Sequence, residues 1–388
     1  MKSQLGLLLL CILGAQSLSA QVNPLSISEE GLDYLAGQAI FEKTWVSSPS
    51  STRASDGLGP LYNARSCAQC HVDAGKGTVE DSLVIRINHP DFGQQLQPRA
   101  VPGLPAETQI LMDYSESSVR FADGTQVQLR QPSYQFPELE SELPFSARVA
   151  PSLAGIGIIA NIPYFDLLAR ADPNDRDNDG ISGRPGAGRF GWKGELDSLS
   201  EQIAQALSLD IGISSTLFPD PYADCTSTQQ DCLRMPHGAS QEDDDMELGI
   251  EAFYALVNFV RQIPAPISSA VAMPGEETFN RVGCAACHAG AFNNGSVNPY
   301  SDLLLHDMGE ALADNMSNAQ SAEWRTAPLW GLSSQAQDTA QHYLHDGRAR
   351  NLVEAIVWHG GEAEQAKQAF MALPAAQRDD IIRFLQSL

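Results

Sequence analysis

Cys67-Ala68-Gln69-Cys70-His71 and, in the second half of the chain, Cys284-Ala285-Ala286-Cys287-His288 spell one pattern, Cys-x-x-Cys-His. Two thiols at this spacing sit on one tight turn and reach different vinyl groups of a single porphyrin, and the imidazole that follows falls under the iron as proximal ligand. The pattern predicts two covalently attached c-type haems, with Cys67, Cys70, Cys284 and Cys287 as thioether residues and His71 and His288 on iron. A zinc half-site or a redox dithiol explains paired cysteines, but not a His in the same place twice.

Residues 1–20 read as an export signal: Lys2, the apolar core LGLLLLCIL (5–13), and small residues at Ser19-Ala20 where a peptidase cuts. The apolar run is too short to cross a bilayer and no other segment approaches that length, so no membrane span is expected. In bacteria, c-type haem is attached outside the cytoplasmic membrane, which places the mature chain in the periplasm. Of seven cysteines, Cys11 lies in the signal and four belong to the haem motifs. Cys225 and Cys232, in DCTSTQQDC, are expected to close a small disulfide loop in that oxidising compartment. A formal charge of −24 speaks against nucleic acid and anionic membranes as partners. It suits a small electron-donor protein with a basic face, although a solvated acidic surface explains the same count. The acidic run 242–245 precedes an apolar helix and is expected to serve its positive N-terminal end.

The repeat extends beyond the two motifs. Gly37-x-x-x-Phe41 precedes the first and Gly275-x-x-x-Phe279 the second, a pattern that lets one helix approach another closely while the ring packs against it. Each half also offers a closing helix. In 246–262, Ile250, Phe253, Val257 and Val260 recur at helical spacing, as do Ile381, Ile382, Leu385 and Leu388 in 375–388. The expected fold class is mainly α: two cytochrome c-like domains in tandem, at 21–263 and 275–388, joined by a proline-bearing linker at 264–274. The first half is too long for a simple cytochrome domain and must hold an insertion. Segments 83–87, 109–114, 119–121 and 126–129 read as short strands with Asp123-Gly124 as a hairpin turn, giving a small antiparallel β insertion. DPNDRDNDGISG (172–183) sets Asp175, Asp177 and Asp179 at alternate positions before Gly180, like the opening of a calcium loop. The closing Glu of an EF-hand is absent, its place being taken by Gly186, and an Asp-rich solvated turn is the rival reading.

Longer stretches carry a family resemblance: GLGPLYNARSCAQCH (57–71), ARVAPSLAGIGIIANIP (147–163), GRFGWKG (188–194), LLLHDMG (303–309), WRTAPLWGL (324–332) and HDGRARNLVEAIVWHGGEA (345–363). Together with the Asp-rich loop they resemble the di-haem oxidoreductase family over nearly the whole mature chain. The chain is also distantly similar to bacterial di-haem cytochrome c peroxidases and MauG-type enzymes. That similarity rests on His306-Asp307-Met308-Gly309, Arg325-Thr326-Ala327-Pro328 and His345-Asp346-Gly347.

The resemblance implies roles for single residues. Past the His of the HDG loop, the peroxidases place the Met that is the sixth ligand of the second haem, and MauG-type enzymes a Tyr; this chain has His359. Leu352, Ala355, Ile356 and His359 also share a helix face, so His359 looks inward. Bis-His ligation saturates that iron and lowers its potential relative to Met ligation, fitting it for electron relay. The first haem is then the reaction centre. His89, in INHPDFG, is a distal candidate there, as the peroxidases place a His beyond this motif; His237 is its rival. Moving a proton between peroxide oxygens requires an acid–base group, for which Glu107 and Arg148 are candidates. Where family members commonly carry Glu in a GLLEAIP segment, this chain has Ile158-Ile159-Ala160-Asn161 and lacks that carboxylate. His345 is read as bracing its loop or meeting a haem propionate, His342 and Met316 as surface residues, and Trp324, Trp330 and Trp358 as packing around the second haem. The expectation is a peroxidase-like di-haem oxidoreductase that takes electrons from a small donor protein and reduces hydrogen peroxide or another small oxidant. The rival is a non-catalytic electron carrier or redox subunit, for example in iron uptake.

Overall fold

The computed structural model describes residues 29–388 except 138, 140–142, 267–272, 289–290, 293–296, 317–319 and 336–341; the segment read as an export signal, Cys11 and most of the expected linker lie outside the described residues. The first half runs through α1 (Glu29–Glu42), β1 (Val46–Ser47), β2 (Asp56–Leu58), β3 (Leu61–Tyr62), α2 (Cys67–Cys70), α3 (Val79–Ser82), β4 (Val84–His89), β5 (Gly93–Leu96) and β6 (Arg99–Ala100). It continues through β7 (Leu111–Arg120), β8 (Gln126–Gln135), β9 (Ser146–Arg148), α4 (Ile156–Ala160), α5 (Tyr164–Leu168), α6 (Leu199–Ala206) and α7 (Ile250–Arg261). The second half holds α8 (Pro274–Arg281), β10 (Leu305–Asp307), β11 (Glu323–Arg325), α9 (Leu332–Gln335), α10 (Leu352–Trp358), α11 (Glu364–Ala372) and α12 (Ala375–Leu385).

The repeat reappears as two crossed helix pairs, α1 on α7 and α8 on α12. A Cβ on Gly37 would stand 2.1 Å from Ala255 O, and one on Gly275 2.0 Å from Asp380 O, so only glycine lets each pair close. The aromatic residue one turn later then meets a phenylalanine of the closing helix: Phe41 on Phe259 at 5.3 Å and Phe279 on Phe384 at 5.4 Å between centroids. Each pair anchors its own core, one around Phe41, Phe253, Leu256 and Val260, the other around Phe279, Phe370, Ile381 and Phe384. The acidic run serves α7 as expected, since Asp244 Oδ2 accepts from Ile250 N at 3.3 Å.

The expectation of a mainly α chain is corrected. With 33% helix and 18% strand the protein is mixed α/β, and its described strands form five small sheets, four of two strands and one of three. Most of these strands are two to four residues long, too short for an alternating pattern to stand out in sequence. The anticipated hairpin is present and longer than its signal: β7 and β8 pair from Leu111↔Gln135 to Arg120↔Gln126. Gly124 (φ 90°) makes its turn, where Thr125 N donates to Asp123 Oδ1 at 3.0 Å. The hairpin belongs to the first half by sequence, yet Phe121 and Leu129 complete the second core. Arg130 fastens it there through the carbonyls of Arg348 and Gly347, and Arg378 does so through Asp123. In the three-stranded sheet β5-β4-β9, Ile85 and Ile87 face a satellite core with Leu96 and Ala147. Alternation therefore turns Val84 and Arg86 to the opposite side, where the site lies.

Candidate functional site

Both Cys-x-x-Cys-His motifs line a single cavity of about 800 Å³. Ser66 caps α2 by accepting from Gln69 N, and His71 N closes the turn on Cys67 O at 2.9 Å. The second motif repeats that bond, His288 N to Cys284 O at 2.9 Å, on a turn entered through Gly283 at φ 98°. The imidazole of each motif is oriented by a backbone carbonyl: His71 Nδ1 lies 3.4 Å from Gly75 O and His288 Nδ1 3.0 Å from Tyr300 O. Burial drives both rings down to about 4, so they are neutral at physiological pH, and with Nδ1 donating, Nε2 keeps the lone pair a metal needs.

The four thiols are free. Burial pushes Cys67, Cys70 and Cys284 up to about 12, the reverse of the depressed thiol on which a redox dithiol depends. Among the described residues, only Asp175, Asp177 and Asp179 bring three ligand atoms together as one metal ion would require, so neither motif has a zinc geometry. Separated thiols, a carbonyl-oriented neutral His and a largely apolar cavity fit haem c at both motifs.

At the second motif, a third imidazole completes the set. His359 follows α10 with Nδ1 donating to Ala355 O at 2.8 Å, and its ring centroid stands 6.5 Å from that of His288. Two imidazoles that share a metal at about 2 Å each hold their centroids roughly 6 Å apart. Beside them His306 is buried between Asp302 Oδ2 at 2.9 Å and Glu362 Oε2 at 2.8 Å. Burial opposes its charge, but hydrogen bonds to Asp302, Cys287 and Glu362 outweigh it and push this ring up to about 12. His345 stacks on Trp324 at 3.6 Å and 9°, and Lys193 Nζ stands 3.7 Å from the centre of the Trp324 ring. His345 O also accepts from Val149 N at 2.7 Å, which ties the HDG loop to the first half.

The first motif has a different lining. No ring faces His71 at the separation seen for His288 and His359 among the described residues. The wall is the β4–β9 ladder, whose register Val84↔Arg148 and Arg86↔Ser146 puts both arginines on the cavity side. Arg148 pairs with Glu195 at 2.6 Å. Burial opposes the charge of Glu195, but Arg148, Arg86 and Lys193 N hold its carboxyl below the usual range. A Cβ on Gly191 would lie 2.3 Å from Glu195 Oε2 and 3.6 Å from Gln202 Oε1, so these two acceptors converge over the glycine. Lys76 is pulled down to about 7 by burial, against the attraction of Asp346, and donates to Leu344 O at 3.1 Å.

Several expected residues lie elsewhere. His89 ends β4 beside Phe92 and accepts from Asp91 N, away from the cavity; the strand's alternation gives that side to Arg86. His237 packs edge-on to Tyr222 and does not line it either. Glu107 is also absent from the wall, bonded to Gln97 N at 2.7 Å and to Gln229 Nε2. Arg148 does line it, as do Trp324 and Trp330, whereas Trp358 packs under Arg348 instead. His342 is not a surface residue: its side chain is 8% exposed and meets Glu80 at 3.3 Å. Met316 is half-buried and outside the cavity. Cys225 and Cys232 form the expected disulfide, with Cα atoms 6.0 Å apart. The oxygens of Asp175, Asp177 and Asp179 lie within 4.8 Å of one another. Sequence reading missed Arg86, Glu195, Gln202 and Asp210; the period-2 run Ile85-Arg86-Ile87 was the available signal for the first.

Residues 12–86 and 76–388 match the family model described as "Di-haem oxidoreductase, putative peroxidase". No curated protein matches the chain. A solved structure of Kuenenia stuttgartiensis hydrazine synthase, pressurised with 20 bar xenon, is similar over 100% of both chains at 13% identity, with a TM-score of 0.38. That score is too low to carry an argument about fold or function.

Proposed function

The chain belongs to the di-haem oxidoreductase family, and on that premise we propose an exported, periplasmic c-type oxidoreductase with two unequal haem sites and peroxidase-like activity. The observation that carries this reading is the facing pair His288 and His359, with centroids 6.5 Å apart, at one motif and, among the described residues, not at the other. Cys67, Cys70, Cys284 and Cys287 would hold the porphyrins covalently, and His71 and His288 would be the proximal ligands. His359 would close the second iron. Bound there, the haems supply one-electron chemistry, relay at the second motif and reduction of hydrogen peroxide or a similar small oxidant at the first.

The chain's own residues do the rest. Ala355 O, Gly75 O and Tyr300 O orient the three imidazoles. Apolar walls such as Ile156, Ile159, Leu199 and Trp330 exclude water from the cavity. Arg148 holds Glu195 ionised on the first-motif side, where the family's usual carboxylate is replaced by apolar residues. Among the described residues no helix is long and apolar enough to cross a membrane. A small electron-donor protein is the proposed partner, and Asp175, Asp177 and Asp179 offer oxygen ligands suited to calcium.

The test is the spin state of each haem in purified oxidised and half-reduced protein. Expected are one low-spin bis-imidazole centre and one high-spin centre that binds azide and turns over peroxide with a reduced cytochrome. Two low-spin centres in every state, without turnover, would establish the electron carrier instead.

A further inference from the structure

Behind the first motif a seam of polar side chains crosses the protein interior. Gln95, on β5, and Gln97, just past its end, are 0% and 1% exposed and meet at the Leu209 carbonyl. Gln95 Nε2 lies 2.7 Å from Asn63 Oδ1, 2.8 Å from Asp210 Oδ1 and 3.1 Å from Leu209 O, its two hydrogens shared among the three acceptors; Gln97 Nε2 donates to the same Leu209 O at 2.9 Å. These acceptors fix both amides, because turning either one would set oxygen against oxygen. Each Oε1 is thereby left buried with no protein partner among the described residues. An unpaired buried carbonyl is costly, and buried water is the donor such oxygens take.

The seam has two ends. Outward, Gln97 N donates to Glu107 Oε2, and Glu107 Oε1 accepts from Gln229 Nε2 at 2.5 Å, inside the loop closed by Cys225 and Cys232. Inward, Asp210 lines the cavity that holds His71. We infer that Glu107, Gln97, Gln95 and Asp210 form a buried route that carries protons from the surface at the disulfide loop to the first-haem cavity. Holding the loop before the motif does not account for the seam. Asn63 N and Ala64 N bond to Asp210 O, and the Asn63 side chain is held by Gln95 Nε2 and Leu96 O, so neither orphan oxygen nor Gln97 is needed for that.

The route rests on the reading of peroxide reduction at the first site. Each peroxide takes two electrons from the reduced donor protein and two protons; its O–O bond breaks and two waters leave. The electrons come by way of the second site, and the protons must reach a buried cavity through the protein interior. Burial pushes Glu107 up to about 7 and Asp224 up to about 6, where a carboxyl exchanges protons near neutrality. Burial also raises Asp210, with Arg86 and Gln95 opposing. The charged and titratable groups facing these carboxyls are Arg86 on β4, Cys67 and Cys70 on α2, and Asp224 beside Glu107; Arg148 and Glu195 lie beyond Arg86.

The experiment compares Asp210→Asn and Glu107→Gln with wild type in the haem-loaded protein, by the stopped-flow rate of reduction of the first haem across pH in ordinary and heavy water and by peroxide turnover. Wild type should take up the electron with a solvent isotope effect and at a rate that falls as pH rises past neutrality, because a proton follows through the route. Both variants should slow that step roughly tenfold or more with unchanged absorption spectra, and slow turnover with it. If both keep the wild-type rate and its pH dependence, or wild type shows no isotope effect, the route is refuted. A wild-type isotope effect with slowed reduction in both variants, but without peroxide turnover, would sustain the route and refute the peroxide reading. Should Asp210→Asn fail to take up haem, Glu107→Gln decides alone by the same measurement.

Discussion

Single atoms decide what the two motifs can do. His359 owes its orientation to one bond, Nδ1 to Ala355 O at 2.8 Å, which fixes the tautomer before any metal arrives. Replacing it by Met exchanges an imidazole for a thioether that favours ferrous iron. His359→Met should therefore raise the potential of one haem and move its near-infrared ligand band, leaving the other unaltered; an unchanged spectrum would mean that the ligand is another residue. Glu107 makes a stability prediction whose sign can be worked out. Burial raises its carboxyl from 4.5 to about 7, so the folded state favours the neutral form. The contribution is complete below about 4.5 and is lost as pH rises through about 7. Chemical unfolding at pH 5 and pH 8 should show that loss, roughly 1–3 kcal/mol, and Glu107→Gln should lack it. At this scale the sequence was legible wherever chemistry fixes spacing, as in the two motifs and the Cys225–Cys232 pair. Helical period and family spacing also turned His359 inward toward the second motif, where it faces His288. His89 and Glu107 were misplaced because a lone polar residue in a strand or loop carries no sign of the side it faces. That side is set by ladders such as Val84↔Arg148, whose partners are far apart in sequence.

Elements carried their own signals unevenly. Gly37 and Gly275 announced both crossed helix pairs, because a contact 2.1 Å from a carbonyl admits no side chain. The β7–β8 hairpin announced itself through Asp123-Gly124, but its destination was hidden. Its packing on α10 joins residues more than two hundred positions apart, such as Arg130 N and Glu354 Oε1 at 2.9 Å. Phe121, 3% exposed, inserts from the hairpin against Phe370 of α11 at 6.3 Å. Phe121→Ala should cost about 3–5 kcal/mol in denaturant unfolding, because the cavity left between hairpin and helix cannot collapse. Asn351 caps α10 by accepting from Glu354 N at 2.9 Å, and Asn351→Ala should cost about 1 kcal/mol. A hairpin that merely decorated the first half would give a Phe121 value near zero.

The whole molecule joins its halves around one cavity, so the two Cys-x-x-Cys-His motifs share a continuous interior. The two halves meet through His345 O on Val149 N and through Arg325, whose Nε donates to Gly191 O at 2.9 Å. This joint was not legible, because neither Val149 nor Gly191 belongs to a motif of the second half. The charge was legible, and it bears on the proposed donor protein. With 48 acidic and 24 basic residues the protein carries −24, and opposite fields raise association rates by about 10- to 1,000-fold at low salt. That advantage fades as the screening length shrinks from about 30 Å at 0.01 M to about 3 Å at 1 M ionic strength. Stopped-flow reduction by a small basic cytochrome should therefore slow at least tenfold across that range, whereas an acidic cytochrome of similar potential should start slow and speed up modestly. Equal, salt-independent rates for both donors would mean that the acidic surface serves solvation and that the donor is chosen by contacts other than charge.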